Sequence, residues 1–456
     1  MHDYNMEDVL ILSDDRKTVE GVKDNSITHA SIPEGVTNIG RLHVPIFTNE
    51  GRAFSGCTSL QSVDIPNSVK TIGQSAFSGC TSLQSVDIPN SVEEICSCAF
   101  QYCISLWDID IPRSVKIIRG AAFSGCESLR SISIPNSLTN IEGGTFKDCK
   151  VLENIVIPEG VISIGASAFE GCVSIKTINI PNSVTKIGTG AFKGCTSLQS
   201  ISISRNITII ESDTFKGCSS LRVIDIPESV NYIGTSAFSG CESLQSIVIP
   251  NSVTRLGWDV FSCCTSLKHI ELPHKVTEIV PYMFASCPNL HYIIPDRIIK
   301  IGEFAFEEIG VEKFFIPKTI ESIKGHVFDY SQIKEFIVDD ENPCYVSVNG
   351  VLMEICSGNK KKNNLFTLHT YPPMMELSQY FIDSNIIKKI KGGAFYGCWN
   401  LKGIHIVLED PNEIEVECDA FSEELLEDCI LYIATGTRWA YKHHPVFGKF
   451  KNIEIE

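Results

Sequence analysis

Residues 53–69 read AFSGCTSLQSVDIPNSV, and residues 76–92 repeat the same seventeen letters twenty-three positions later. The string contains Ser, Thr, Cys and Asp, so it is either a doubled reaction site or a structural unit that stacks on copies of itself. A fixed period of about 20–50 residues is typical of repeat architectures, in which one unit cannot bury its apolar side alone. The period therefore has to be followed along the whole chain before any chemistry is assigned.

The phenylalanine of the AF pair marks each unit. Eleven markers follow one another at a constant spacing of 23, two more follow at 22, and two come after an interruption, which makes fifteen. Such regular spacing favours the structural unit over a reaction site. The markers are Phe54, Phe77, Phe100, Phe123, Phe146, Phe169, Phe192, Phe215, Phe238, Phe261, Phe284, Phe306, Phe328, Phe395 and Phe421.

One unit is predicted to be a short half-buried strand followed by a turn. In LQSVDIP, Val86 and Ile88 alternate with Ser85 and Asp87, which is the period-2 pattern of a strand with one buried face. Pro89 cannot donate to a sheet ladder and so marks the end of the strand. The SVxxIG segment gives a second short inward stretch. The SAF and GC pairs predict a single helical or 3₁₀ turn with Phe and Cys pointing inward.

The stretch SLQSVDIPNSVKTIGQSAFSGC at residues 59–80 and its near copies resemble the leucine-rich repeats. More narrowly, they are similar to the BspA-like class, also called the Treponema pallidum type. The resemblance covers residues 32–338 strongly and 381–430 more loosely. It implies an α/β fold: a right-handed leucine-rich-repeat solenoid of 23-residue coils with a parallel sheet on its concave face. It also implies terminal caps and a β-hairpin insertion.

Breaks in the period divide the chain into four predicted parts. Residues 1–31 form an N-terminal β cap, 32–338 the solenoid, 339–380 the insertion, and 381–456 the final coils and a C-terminal cap. Asn349-Gly350 between apolar alternations predicts a hairpin that projects beside the sheet, with the turn at Lys360–Lys362 exposed. Residues 41–50 predict a loop bulging from the first coil. The C-terminal cap reads as strand, short helix with Trp439 and Tyr441, then strand.

Composition and charge limit the classes of function. The 456 residues carry a formal net charge of −17, which argues against a nucleic-acid partner because phosphate contacts need clustered Lys and Arg. No apolar run is long enough for a membrane span. The first residues lack the pattern of a secretory leader, so the chain is either cytosolic or begins after a removed leader. The sequence leaves the oligomeric state open.

The nineteen cysteines are explained mainly by the repeat. A uniform inward column has no reason to pair off, so these cysteines are expected to be free buried thiols, which fits a reducing or anaerobic setting. Cys96, Cys98 and Cys103 form a C-x-C-x₄-C pattern, a weak alternative as a metal site because no His lies nearby in the chain. The column comprises Cys57, Cys80, Cys103, Cys126, Cys149, Cys172, Cys195, Cys218, Cys241, Cys264, Cys287 and Cys398.

Enzymatic activity finds little support in the sequence, and no catalytic residue, metal site or cofactor is predicted. The eleven His are scattered, and the recurring Ser of GCTSL has no base at a fixed offset. The family resemblance instead implies a protein partner, such as a host matrix protein or another cell surface, and a cell-surface or secreted location. An intracellular scaffold is the alternative. A carbohydrate-binding module is a weaker one, since outward positions hold few aromatics, with Tyr292 and Phe315 only late in the chain.

The candidate binding residues are acidic and are predicted to face outward on the strands. Three Asp would stack at the sheet spacing of about 4.8 Å, where like charges repel. Duplication of the first coils explains them without any function. The functional hypothesis is that they meet a basic partner surface or a divalent cation. The candidate residues are Asp64, Asp87, Asp108, Asp110, Asp225 and Glu271.

Overall fold

Alternation along the LxxIxIP segment places every second side chain inside, and the chain folds as the solenoid that the period predicts. The computed structural model describes residues 9–42, 52–356 and 365–456. Its coils are about 23 residues long and carry parallel strands, as expected for the leucine-rich repeat fold. Contacts divide the chain into two compact units, Met1–Gly257 and Trp258–Glu456. The predicted four-part division remains a prediction.

Each coil of the first unit contributes two strands. The first strand, usually of three residues, belongs to the long-strand row, and a two-residue strand belongs to the short-strand row. The long-strand row comprises His29–Ser31, Ser62–Asp64, Ser85–Asp87, Asp108–Asp110, Ser131–Ser133, Asn154–Val156, Thr177–Asn179, Ser200–Ser202, Val223–Ile224 and Ser246–Val248. The short-strand row comprises Asn38–Ile39, Thr71–Ile72, Glu94–Ile95, Ile117–Ile118, Asn140–Ile141, Ser163–Ile164, Lys186–Ile187, Ile209–Ile210, Tyr232–Ile233 and Arg255–Leu256.

The third side of each coil is a pair of separate turns. The amide of Cys80 donates to the carbonyl of Phe77 and that of Leu83 to Cys80, both across three residues at 3.1 Å. These are 3₁₀-type bonds, as the sequence predicts, but Gly79 between them adopts φ +75° and prevents a continuous helix. The chain therefore turns twice within a few residues and points Phe77 and Cys80 into the core.

The core of the first unit is a ladder of identical rings. From Phe54 to Phe238 the marker phenylalanines for which the stacking is given lie 5.2 to 5.9 Å apart between ring centroids and nearly parallel. Each ring is essentially inaccessible to solvent. Offset stacking of this kind adds to the free energy of burying the aromatic surface. Like residues meet like residues, which is why one unit needs its neighbours to fold.

The predicted state of the cysteines is confirmed: all nineteen are free, and the twelve column cysteines are buried. The column thiols from Cys80 to Cys241, and that of Cys287, also donate hydrogen bonds to phenylalanine carbonyls of the preceding coil, for example from Cys103 to Phe77 at 3.1 Å. Burial raises the pKa of Cys103 to about 12, so the thiol keeps the proton that it donates.

The predicted N-terminal β cap is a hairpin that covers the first coil. Leu10–Leu12 pairs antiparallel with Thr18–Val22, and Thr18–Val22 then pairs in parallel with Asn38–Ile39. Val19 is buried where the cap covers the first coil. The cap thus pairs with Asn38–Ile39, which would otherwise be a free edge strand of the short-strand row. Most of the predicted 41–50 loop, and the turn at Lys360–Lys362, lie outside the described residues.

The second unit also contains a long-strand row and a short-strand row, and its last strands are longer. Its long-strand row comprises His269–Glu271, Lys313–Ile316, Glu335–Val338, Gln379–Phe381, Gly403–Ile406, Ile430–Ile433 and Asn452–Ile455. Its short-strand row comprises Glu278–Ile279, Lys300–Ile301, Ser322–Ile323, Ile387–Ile390 and Glu415–Val416. Two α-helices, Glu423–Asp428 and Arg438–His443, and two 3₁₀-helices, Pro411–Glu413 and Phe447–Lys449, lie near the C-terminus.

The insertion forms the predicted hairpin but does not project beside the sheet, so that expectation was wrong. Tyr345–Val348 and Val351–Ile355 pair antiparallel around Asn349-Gly350, and Phe366–Thr370 adds a third strand. Phe366–Thr370 then pairs in parallel with Ile387–Ile390 of the short-strand row. The hydroxyl of Tyr345 accepts the amide of Ile323 at 2.7 Å. The insertion is part of the stack because its apolar side chains, which include Val351, Met353 and Leu368, need a buried face.

The C-terminal cap is also as predicted. Ile430–Ile433 and Asn452–Ile455 pair in parallel, and the helix Arg438–His443 lies between them in the chain. Tyr441 is buried and donates from its hydroxyl to the carbonyl of Ile406, whereas Trp439 is exposed. Among the described residues, no helix has the length and apolar character needed to cross a bilayer.

Candidate functional site

The long-strand row presents two outward side chains per coil to solvent. In Ser85–Asp87, Val86 is buried while Ser85 and Asp87 are exposed, and the neighbouring strands follow the same pattern. Because the strands are parallel and in register, equivalent side chains of consecutive coils lie about 4.8 Å apart. This outer surface of the long-strand row is called the strand face below.

The structure brings four of the predicted acidic residues together on the strand face of the first unit. Asp87 pairs in register with Asp110, and Ser85 pairs with Asp108. Asp64 lies one coil earlier, on the exposed end of Ser62–Asp64. Asp87 and Asp110 are therefore directly opposed like charges, an arrangement that destabilises a sheet slightly.

The other two candidates are isolated from this group. Asp225 is exposed directly after the strand Val223–Ile224, five coils beyond Asp110, and Ser202 and Val248 occupy the column positions on either side. Glu271 lies in the second unit, on the exposed end of His269–Glu271. Asp64, Asp87, Asp108 and Asp110 are called the acidic column below. This column is a local feature of the first coils rather than a property of the whole long-strand row.

Asp64 has a histidine partner that was not predicted from the sequence. His29 lies on the strand that pairs with Ser62–Asp64, and its Nε2 is 3.2 Å from Oδ2 of Asp64. Its Nδ1 is 2.8 Å from the hydroxyl oxygen of Ser62. The contact follows from the pairing of His29–Ser31 with Ser62–Asp64. That pairing could not be predicted from the period, because the two strands are 33 residues apart and the irregular first coil lies between them.

Ser62, His29 and Asp64 contact one another in series, but the imidazole is reversed relative to a serine-hydrolase triad, in which Nε2 faces the serine and Nδ1 the carboxylate. The side chains of His29 and Asp64 are 48% and 70% exposed, on an open sheet surface. A triad carboxylate is buried and holds its imidazole in a water-excluded site. Solvent screens this ion pair instead, so the three residues are read as a surface contact.

No metal centre is apparent on the strand face. Within residues 9–42, 52–356 and 365–456, no three His, Cys, Asp or Glu side chains are placed to hold a metal ion together. Cys96 and Cys103 are buried in separate coils, and Cys98 is half-buried. The cation hypothesis for the acidic column therefore gains no support from the geometry.

One predicted outward aromatic residue points inward. Tyr292 packs against the rings of Phe284 and Phe306, at centroid distances of 5.2 and 6.3 Å, while Ile293 beside it is exposed. This coil is one residue short, and a shift of one residue moves each side chain to the opposite face. Phe315 is exposed, as predicted.

Aromatic residues that the sequence analysis missed lie on the strand face of the second unit. The ring of Phe381, which is 62% exposed, stacks on His405 at 4.0 Å, and His405 stacks on Tyr432 at 4.4 Å. Nδ1 of His405 is 2.8 Å from a carboxylate oxygen of Glu456, and Nε2 is 2.8 Å from Oε1 of Gln379. The in-register pairing of three strands builds this platform. These aromatic residues could have been found from the sequence, because they occupy the outward positions of the alternating segments QYF, GIHI and ILYI.

Comparison with known proteins gives one family and several solved structures. The family model described as "BspA type Leucine rich repeat region (6 copies)" matches residues 48–172, 144–264 and 232–342. These ranges together span residues 48–342, which is more than half of the chain. No curated protein matches the chain.

The solved structures that resemble this one include the following two. A leucine-rich repeat protein from Bacteroides ovatus is 26% identical, with a TM-score of 0.59, over 92% of this chain and 99% of that chain. A leucine rich cell surface protein from Faecalibacterium prausnitzii is 29% identical, with a TM-score of 0.52, over 72% of this chain and 92% of that chain.

Proposed function

The chain belongs to the BspA-type leucine-rich repeat family, and we propose that it is a non-enzymatic protein-binding protein of the cell surface or the secreted space. The fold by itself does not fix a function. The observation that carries the proposal is the strand face, which repeats outward side chains at constant spacing over a rigid core. A partner could contact many coils at once without a cavity, as is usual for solenoid surfaces.

The environments of three histidines, His326, His369 and His405, support a non-enzymatic role. His369 is buried, and its Nε2 donates to the carbonyl of Ile323 at 3.0 Å. His405 is held between Gln379 and Glu456, and His326 between two carboxylates. In each case both ring nitrogens are engaged in structural contacts rather than in activating a nucleophile.

We place the contact surface of the first unit at the acidic column, with Asp64, Asp87, Asp108 and Asp110 as the proposed binding residues. Four carboxylates on three consecutive strands give a strongly negative strip, which a basic partner surface would complement. Asp225, on the strand face of the first unit, and Glu271, on that of the second unit, are proposed as separate negatively charged contacts. The proposed partner is a host matrix protein or a protein of another cell surface, as the family resemblance implies.

The test is binding of the full chain to purified extracellular-matrix proteins, each immobilised separately. The variant D64N/D87N/D110N removes three charges from the strand face. A matched variant, E34Q/E159Q/E228Q, removes three exposed charges from the turns after the long strands. Binding that falls in the first variant and persists in the second supports the acidic column. Equal loss in both variants would indicate a response to net charge, and no binding by the parent would contradict the matrix partner.

The location is tested separately. The cell-surface proposal is supported by the resemblance to a leucine rich cell surface protein, whereas nineteen free cysteines favour an intracellular scaffold. Labelling of intact cells with a membrane-impermeant amine reagent distinguishes the two. Labelling of the protein before lysis supports the surface, and labelling only after lysis supports the scaffold.

A carbohydrate-binding role is a second candidate, favoured by the Phe381, His405 and Tyr432 platform. Sugar rings present C–H groups that pack on aromatic faces, and Gln379 and Glu456 lie close enough to add hydrogen bonds. Glycan-array binding that is abolished by Phe381→Ala would support this role. An array without signal would exclude it for the glycans tested.

A further inference from the structure

The turns of the second unit carry aromatic rings at a strained backbone position. In many coils the residue two positions before the marker phenylalanine has a positive φ. In three coils of the second unit this residue is Tyr282, Phe304 or His326, with φ of 57°, 57° and 60°. The left-handed conformation costs a residue with a Cβ about 1–2 kcal/mol, and a bulky side chain there is an outlier. Elsewhere, where this position has a positive φ, it holds a small or short side chain or glycine, namely Ser75, Cys98, Ala121, Gly144, Ser167, Gly190, Asp213 and Ser236 in the first unit and Asp259 and Gly393 in the second.

A second corner of the turn shows the same departure. Two residues after the marker phenylalanine the usual residue is glycine at positive φ, as in Gly56 and Gly79, but the second unit has Tyr330 at φ 56°. Its ring reaches Tyr396 and Trp399, at centroid distances of 6.2 and 6.1 Å. The turn geometry would be met more easily by glycine, so the turn itself does not explain the tyrosine.

These rings form one continuous surface, called the aromatic ridge, which consists of Tyr282, Phe304, His326, Tyr330, Tyr396 and Trp399. Phe304 stacks on Tyr282 at 4.8 Å and on His326 at 5.2 Å, and His326 meets Tyr396 edge-on at 4.9 Å. The ends of the ridge remain open, with Tyr282 39% and Trp399 52% exposed. The rings cover one another rather than the core, so burial only partly offsets their strain.

The aromatic ridge lies in acidic surroundings. Burial and the nearby carboxylates of Glu307 and Glu303 raise the pKa of Tyr282, and burial and Glu424 raise that of Tyr330. His326 is the one ring of the ridge that carries a positive charge at neutral pH, and it is held between the carboxylates of Asp329 and Asp419. Together with the three glutamates, these carboxylates outnumber that charge, so a cation approaching the rings would meet aromatic faces in net acidic surroundings.

We propose that the aromatic ridge is a docking surface for an arginine-rich segment of a partner protein. A guanidinium group stacks flat on aromatic rings and binds carboxylates through two parallel hydrogen bonds, which an ammonium group cannot do. The proposal rests on the proposed protein-binding function but uses a surface other than the strand face. The net charge of −17 would also steer a basic segment toward the chain.

The test uses the full chain and a labelled decapeptide of alternating Arg and Ser, with matched Lys–Ser and Glu–Ser peptides. The variant Y282S/F304S/Y330G introduces the residue types that other coils carry at the same backbone angles, so it should fold at least as well as the parent. We expect the parent to bind the Arg peptide several-fold more tightly than the Lys peptide. The variant should bind the Arg peptide at least tenfold more weakly, with an unchanged or higher Tm.

A matched control is available in the first unit. Tyr102 is 55% exposed and occupies the same glycine corner as Tyr330, with φ 59°. Tyr102→Gly makes the same chemical change away from the aromatic ridge and should leave peptide binding unchanged. D64N/D87N/D110N should also retain it, so a failure of the strand-face proposal can be told apart from a failure here.

Trp399→Thr provides a second, milder variant, because Thr occupies this position in coils such as that of Thr58 and Thr81. It should weaken binding of the Arg peptide even if the triple variant does not fold. The proposal is overturned if the parent does not bind the Arg peptide, or if Arg and Lys peptides bind equally well. It is also overturned if folded variants bind like the parent, or if cellohexaose competes with the peptide, which would indicate a glycan platform.

Discussion

The thiol of Cys172 donates a hydrogen bond to the carbonyl oxygen of Phe146, 3.0 Å away in the preceding coil. The same carbonyl accepts the amide of Cys149 within its own turn at 3.2 Å. The bond therefore connects the turn of one coil to the next at a corner that neither strand row reaches. Burial raises the pKa of Cys172 well above its ordinary value, so the donor proton is retained. Cysteine suits this column because its side chain is small, apolar and a weak donor, although Ile309 and Ser331 occupy the same position in two coils of the second unit.

Removing this donor should weaken the stack. Cys172→Ala deletes the hydrogen bond and leaves a small cavity, and we expect it to lower the free energy of unfolding by about 1–2 kcal/mol. Cys172→Ser keeps a donor and should lose less. Urea denaturation followed by circular dichroism measures both, with Cys418→Ala at an exposed position as a control that should change little. Equal loss in the serine and alanine variants would argue that volume alone matters.

Thiol reactivity should separate the cysteines by position. Cys263, Cys356 and Cys418 are exposed, whereas the column cysteines are buried. Burial raises the pKa of column thiols such as Cys195 to about 12, so at pH 8 they are neither accessible nor ionised. A chromogenic disulfide reagent should react rapidly with about three thiols in the native protein, and with the column only after denaturant is added. Rapid reaction of ten or more would contradict the assignment of the column to the core.

Neutralising the opposed aspartates should stabilise the first unit slightly. Asp87 and Asp110 repel across paired strands, whereas Asp64 has His29 as a partner. We expect D87N/D110N to raise the Tm, and addition of D64N to contribute little, because it removes the contact with His29. Thermal melts in low salt measure this. Calcium should shift the Tm of neither protein, and a shift in the parent alone would reopen the cation hypothesis.

The stability of the second unit should fall at alkaline pH through His326. Its Nδ1 contacts Asp329 at 2.7 Å and its Nε2 contacts Asp419 at 3.0 Å, and these bonds raise its pKa from 6.5 to about 9. A raised folded-state pKa means that the contribution is complete below pH 6.5 and is lost as the pH rises through 9.

The corresponding measurement compares the parent with His326→Gln by urea denaturation between pH 6 and 9.5. Over this range the free energy of unfolding of the parent should fall by about 1–2 kcal/mol relative to that of the variant. The fall is limited because burial raises the pKa of Asp329, which offsets part of the stabilisation from its contact with His326. Glu335→Gln, which breaks the exposed ion pair with Lys313, serves as the control and should not change the pH dependence. Parallel curves for parent and His326→Gln would show that the bridge contributes nothing.

Much of the fold could be predicted because the repeat makes local pattern and global packing agree. The alternation around Val86 sets one face of each strand, Pro89 ends it, and Phe77 with Cys80 must be buried because their copies stack on them. The Asn349-Gly350 hairpin and the two caps have equally local signals. The candidate Asp87 and Asp110 could also be placed, since in-register coils bring equivalent positions together.

Other features were decided only by the tertiary structure. The donor role of Cys172 needs the carbonyl of Phe146, and the His29 contact needs a strand 33 residues away. Tyr292 points inward because a coil one residue short shifts the register, and the insertion joins the stack because its apolar strands need cover. The contact between His326 and Asp419 spans 93 residues. The period determines which side chains point inward, whereas contacts across irregular coils depend on where the backbone lies in space, which no spacing in the sequence specifies.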